Sequence, residues 1–175
     1  PDLEFAAVSA TVEELRRDRG AVELVKANQE IYHFITDGVP VEFRDQDGNM
    51  ISENVKIIDW EDVENNDFLL TSQLWITGEM YTRRADLIGF VNGIPLAFIE
   101  LKSSHRNVKN AYDDNLRDYK NTIPQLFWYN TFVILSNGSE SKIGTITSGW
   151  EHFTDWKRIS DEEEDGRVSL ETMLI

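Results

Sequence analysis

The rhythm of hydrophobic and polar positions changes along the chain and divides it into a helical start and a strand-rich remainder. Thr11 followed three residues later by Glu14 has the form of a capping box and predicts the start of a first helix, which Gly20 ends or interrupts. Val22, Leu24, Val25, Ile31, Tyr32 and Ile35 then recur at helical intervals and predict a second helix over about 21–36, stopping at "DGVP".

From residue 37 the pattern is that of strands. "VPVEFRDQDGNMISENVKIID" reads as a hairpin about Asp47-Gly48, and "NDFLLTSQLWIT" alternates as a long, half-buried strand should. "RRADLIGFVNGIPLAFIELKS" is an apolar hairpin about Asn92-Gly93, and "TFVILSNGSESKIGTIT" is another about Asn137-Gly138. Between these two, Val108, Ala111, Leu116 and Tyr119 give helical spacing to "NVKNAYDDNLRDYKN", which Pro124 closes off. The charged final stretch from "WEHFTDWKRIS" carries aromatics expected to dock on the core. Two helices, then strands with one helix inserted, predict a single α/β (α+β) domain, a mixed sheet flanked by helices. The segments are an N-terminal helical part, 1–36, a core, 37–158, and an acidic tail, 159–175.

Composition narrows the function. The 175 residues are 41% hydrophobic and 11% aromatic, which argues for a folded core and against disorder. No stretch approaches the roughly 18 consecutive apolar residues of a membrane span, and no secretory leader pattern opens the chain. Cysteine is absent, so disulfides and cysteine-ligated metals are excluded. A cytoplasmic protein with no membrane partner is expected. His33, His105 and His152 lack zinc-ligand spacing. The start at Pro1, without methionine, suggests a piece of something longer. A net charge of −15 means that the overall field cannot hold DNA, because phosphate neutralisation supplies most of such affinity. Any nucleic acid must be delivered by other domains or subunits, with metal ions masking local repulsion. "DEEED", residues 161–165, reads as a solvated loop or tail.

The apolar hairpin about Asn92-Gly93 carries charges where side chains should be apolar: Asp86 near its start, Glu100 and Lys102 near its end. Glu100 and Lys102 share one strand face, with Leu101 opposite. Buried charges are costly unless paired or bound to something, and two carboxylates aimed at one point are relieved by a hard divalent cation. Asp86, Glu100 and the backbone carbonyl of Leu101 could hold Mg²⁺. Lys102 would then orient or deprotonate a water, or stabilise charge growing on a phosphate. These parts suit phosphodiester hydrolysis.

Register tests the idea. A strict two-residue turn pairs Val91 with Ile94 and, by the same offset, Asp86 with Ile99, leaving Glu100 on the other face. The site therefore requires a one-residue shift, from a three-residue loop with Gly93 left-handed or an equivalent strand bend near Gly93–Pro95. The plainer alternative is edge-strand charge pairing, Asp86 with Arg83 or Arg84 and Glu100 with Lys102.

The segments from "DFLLTSQLWITGEMYTRRADLIGFVNGIPLAFIELKSS" through "NAYDDNLRDYKNTIPQLFWYNTFVILSNGSESKIGT", with "ANQEIYHFITDGVPVEFRDQDG" upstream and "WEHFTDWK" downstream, resemble the nuclease segment of the R (motor and restriction) subunit of type I restriction enzymes. The resemblance covers about residues 10–158. It implies a restriction-endonuclease-like fold of the PD-(D/E)xK superfamily, with 37–158 as the nuclease core and the tail leading toward a motor region absent from this sequence. It implies that Asp86, Glu100 and Lys102 are the catalytic triad, with Mg²⁺ as cofactor, double-stranded DNA as substrate, and modification and specificity subunits as partners. The family's Q-x-x-x-Y motif falls on "NLRDY", where Tyr119 matches but Asn115 replaces glutamine. That pair is expected to touch DNA or support the site. Arg83, Arg84 and Lys109 are candidate phosphate contacts.

Two departures from the family stand out. Ala85 takes the place of the motif proline, and an earlier helix that often brings another acidic residue is expected to precede this sequence. No G-x-x-x-x-G-K-[ST] loop occurs, so ATP use belongs to the absent motor region. Two other readings remain, a repair or recombination nuclease of the same superfamily and a non-catalytic nuclease fold used for coupling or docking.

Overall fold

The structure, a computed structural model, describes residues 5–155. The acidic tail and "DEEED" lie outside the described residues. Two compact units divide the chain between Asp67 and Phe68.

The first unit holds α1 (Phe5–Arg16), α2 (Leu24–Asp37) and an antiparallel pair, β1 (Val39–Arg44) and β2 (Met50–Val55). Thr11 does not cap α1. It lies buried inside the helix, its hydroxyl donating to the Ala7 carbonyl at 2.8 Å, the back-bonding that lets a threonine sit in a helix interior. The helix ends at Arg16, and the buried guanidinium of Arg19 satisfies its last carbonyls, donating to Glu14, Leu15 and Arg17 while Nε pairs with Glu30. Ala27, Ile31, Phe34 and Ile35 form the buried stripe of α2, whereas Tyr32 is exposed. Helix α2 stops at Gly38, which takes φ +96° against the backbone of Asn54 and Val55.

The second unit is a six-stranded mixed sheet: β3 (Phe68–Thr77), β4 (Thr82–Val91), β5 (Ile94–Leu101), β6 (Phe132–Ser136), β7 (Ser141–Gly144) and β8 (Thr154–Asp155), in that spatial order. Strands β5 and β6 pair in parallel, all other neighbours antiparallel. The parallel pair follows from the crossover between them, which carries a π-helical stretch, Ala111–Leu116, running into α3, Arg117–Thr122. Phe98, Ile99, Val133, Ile134 and Leu135 on the central strands bury with Val108, Ala111, Leu116, Ile123 and Phe127. Phe153 is buried, and it and Trp150 lie against Tyr112, so these two aromatics of the final stretch dock; Trp156 lies outside the described residues. Strand β3 is an edge strand and more exposed than its alternation predicts, with Phe68, Leu69, Leu70 and Trp75 all exposed.

Candidate active site

The β4–β5 hairpin carries the register shift that the site requires, though not in the turn. Asn92 (φ +51°) and Gly93 (φ +79°) form a regular two-residue turn with Val91 opposite Ile94 and Phe90 opposite Pro95. The shift comes one step later, where Gly89 pairs with Ala97 and Leu96 is the extra residue of a bulge. The three-residue loop is therefore corrected to a two-residue turn plus a strand bulge, because Asn and Gly both accept the left-handed conformation such a turn needs. From the bulge onward the offset changes. Ile88 pairs with Phe98, Leu87 with Ile99, and the next position sets Asp86 across from Glu100.

The β4–β5 ladder ends at this point, and side chains meet the freed backbone groups. The Leu101 N–H donates to Asp86 Oδ2 at 2.9 Å, and the Tyr119 hydroxyl donates to the Arg84 carbonyl at 3.0 Å. On the other side Gln73 of β3 donates from Nε2 to Asp86 Oδ1 at 3.1 Å. Asp86 is thus held by both flanking strands.

Glu100 is 2% exposed. Its Oε1 accepts from Lys102 Nζ at 3.1 Å, while Oε2 is buried with no hydrogen-bond partner. Burial first, and then the neighbouring Asp86 charge, push the Glu100 carboxyl up to about 7, against the opposing pull of Lys102. An unsatisfied buried carboxylate oxygen is expensive, and this one lies beside a second carboxylate. Lys102 Nζ also donates to Asn115 Oδ1 at 2.6 Å, and Asn115 Nδ2 donates to the Tyr119 oxygen at 3.3 Å. Glu100, Lys102, Asn115, Tyr119 and the Arg84 carbonyl therefore form one continuous chain of hydrogen bonds. Tyr119 packs its ring edge-on against Phe98 and is held above the usual phenol range chiefly by burial.

The basic candidates stand apart from this chain. Arg83 makes a two-point pair with Asp118 of α3, Nε to Oδ2 at 2.5 Å and Nη2 to Oδ1 at 3.2 Å. Lys109 pairs with Asp113 one turn along, and the Arg84 guanidinium lies over the Trp75 ring. Only the backbone of Arg84 joins the network. Gln73 and Asp118 were not legible as site residues, since a polar residue in an alternating strand and an aspartate in a helix read as ordinary surface. No group of three or more His, Cys, Asp or Glu side chains suited to a metal occurs among the described residues. The oxygen donors here are two carboxylates, backbone and an amide.

Fold and site together define an α+β domain whose bulged hairpin gathers two carboxylates and a lysine at one end of a mixed sheet. Residues 3–152 match the family described as type I restriction enzyme R protein N terminus, and the chain belongs to that family. It is 34% identical over 99% of its length to the type I restriction enzyme HindI endonuclease subunit of Haemophilus influenzae, of which it covers 17%. A protein of Methanocaldococcus jannaschii, provisionally named type I restriction enzyme MjaIXP endonuclease subunit, is 36% identical over 76% of this chain and 13% of its own length. The type I restriction enzyme SsaAORF53P endonuclease subunit of Staphylococcus saprophyticus is 32% identical over 44% of this chain and 8% of that protein. The chain spans less than a fifth of the length of these relatives. No helix among the described residues is long and apolar enough to cross a membrane.

Proposed function

We propose that this chain is the endonuclease domain of a type I restriction enzyme R subunit and hydrolyses phosphodiester bonds of double-stranded DNA with Mg²⁺. The observation that carries this reading is Glu100 Oε2, a buried oxygen without a protein partner, next to Asp86 and one residue face from Lys102. A divalent cation is the partner that such a pair of carboxylates fits. Asp86, Glu100 and the Leu101 carbonyl would hold the ion, which when bound supplies Lewis-acid polarisation of a phosphate oxygen and a more acidic water. Lys102, positioned by Glu100 and Asn115, presents its ammonium to orient the attacking water and to offset charge growing on the phosphate. Asn115 and Tyr119 hold Lys102 and the end of β4 in place.

DNA is brought to the site by other parts of the enzyme, because the net charge of −15 opposes binding by this domain alone. Motor regions outside these residues drive ATP-dependent translocation, and modification and specificity subunits complete the complex and choose the DNA sequence. The full enzyme acts in the cytoplasm.

The test uses the intact multisubunit enzyme carrying Lys102→Ala, with DNA cleavage and DNA-stimulated ATP hydrolysis measured side by side. Cleavage is expected to be lost and ATP hydrolysis kept. Unchanged cleavage would replace this reading with a non-catalytic coupling or docking module, which the acidic charge favours.

A further inference from the structure

Gln73 is the one non-glycine residue other than the turn residue Asn92 that the described backbone holds at positive φ, +54° in the middle of β3. An interior strand position gives no reason for this conformation, which L side chains disfavour. Register does not demand it either. Ser72 pairs with Leu87 and Leu74 with Ala85, so the same offset continues on both sides, and only the Gln73–Asp86 step drops out of the ladder. The strained residue therefore lies directly across from a proposed metal ligand, and its amide reaches that ligand's Oδ1 at 3.1 Å. Strain kept at one residue, at the cost of ladder pairing, marks a functional constraint.

We propose that Gln73 is a positioning residue for Asp86, an inference that rests on the metal-dependent reading above. Asp86 is the one step of β4 that drops out of the ladders with both β3 and β5, and its carboxylate plane must be fixed from outside its own strand. The Leu101 N–H fixes Oδ2 from β5, and the Gln73 amide fixes Oδ1 from β3. Each oxygen keeps a lone pair for a cation. A glutamine suits the task because it is a donor that adds no charge to a site already holding two carboxylates. A third carboxylate at this place would repel Asp86, whereas the neutral amide orients it. The left-handed backbone at Gln73 is the local distortion that accompanies this contact on an exposed edge strand.

The experiment measures Mn²⁺ binding to the full-length, nucleotide-free subunit by the electron paramagnetic resonance signal of free Mn²⁺, together with thermal unfolding. The proteins are the wild type, Asp86→Ala, Gln73→Gly and Gln73→Asn. Glycine and asparagine both tolerate the left-handed region, so each keeps the backbone while glycine removes the amide and asparagine shortens its reach by one methylene. Asp86→Ala is expected to abolish one Mn²⁺ site. Gln73→Gly and Gln73→Asn are expected to weaken that same site about tenfold, the scale of lost ligand support, with no fall in melting temperature. In the intact enzyme the Mg²⁺ concentration for half-maximal cleavage should rise by a similar factor. Mn²⁺ binding as tight as wild type in both Gln73 variants, with the site still lost in Asp86→Ala, would overturn the positioning role and leave the metal reading intact. A marked fall in melting temperature in Gln73→Gly would also overturn it, by showing that the residue serves the fold. If Asp86→Ala loses no site, the metal reading itself falls.

Discussion

Lys102 Nζ lies 2.6 Å from Asn115 Oδ1, so the ammonium is shared between an amide on the crossover helix and the buried carboxylate of Glu100. The contact fixes the direction of a long, flexible side chain that would otherwise have only Glu100 to hold it. Asn115→Leu removes the acceptor and leaves the ammonium free to rotate. DNA cleavage by the intact enzyme is expected to fall by about 10- to 100-fold, in the range found when support for a reactive group is lost. DNA-stimulated ATP hydrolysis should be unchanged, and the two assays on one preparation check this.

Glu100 gives the metal-free protein a pH dependence of unusual sign. Its carboxyl titrates near 7 in the fold and near 4.5 when unfolded, so between these values the folded state holds a proton that the unfolded state has lost. Stability contributed by the neutral, buried acid is complete below about pH 4.5 and is lost as pH rises through about 7. The difference amounts to about 3 kcal/mol at most. Glu100→Gln keeps the shape without the titration. Chemical unfolding in chelator from pH 5 to pH 8 should show wild-type stability declining relative to Glu100→Gln, and parallel curves would show that Glu100 is not desolvated.

Much of this site was legible from residue types and spacing, and the missing parts have identifiable causes. The need for a one-residue shift followed from strand alternation alone, since Asp86 and Glu100 cannot share a face without it. Its location did not follow, because Asn92-Gly93 satisfies a tight turn completely and nothing in "IPLAF" marks Leu96 as the extra residue. The crossover was legible as a helix and not as a π-helical one. Val108, Ala111, Leu116 and Tyr119 fit ordinary helical spacing, with intervals of eight between Val108 and Leu116 and between Ala111 and Tyr119, so nothing marked Ala111–Leu116 as the π-helical stretch. All four side chains are buried, as that spacing predicts. Thr11 misled because the same residue type that caps a helix also back-bonds inside one, and only the partner atom distinguishes the two. Gln73 carried no signal, since its role depends on a backbone angle and on the strand opposite.

Tyr119 tests how much of the network is structural. Its hydroxyl donates to the Arg84 carbonyl and accepts from Asn115, while its ring lies against Phe98. Tyr119→Phe keeps the ring and leaves the carbonyl without that donor. A loss of about 1 kcal/mol in chemical unfolding is expected for removing one partly buried hydrogen bond. Cleavage should fall as well, because the Arg84 carbonyl sits two residues before Asp86 and anchors β4 where its ladder with β5 has already stopped. A variant with full stability and full cleavage would show that Phe98 packing alone positions this helix.

Gly78 holds the helix against the sheet by having no side chain. A Cβ added there would collide with the Thr122 carbonyl oxygen, and Thr122 is the last residue of α3. Backbone cannot yield to this contact as a flexible side chain could. The N–H of Gly78 is engaged with the Tyr81 carbonyl at 2.8 Å, and Gln125 just past the helix bonds the Thr77 carbonyl at 2.9 Å, so neither side is free to move away. Gly78→Ala must therefore lift the C-terminal end of α3. The Arg83–Asp118 pair and the Tyr119–Arg84 bond both run from α3 to β4, and each would be stretched by that displacement. Overpacking of this kind costs about 1–3 kcal/mol. Thermal unfolding should register that loss, and cleavage should drop with it although no residue of the proposed triad has changed. If stability falls while cleavage at a permissive temperature is untouched, the seat of α3 on β4 matters to the fold and not to the geometry around Lys102.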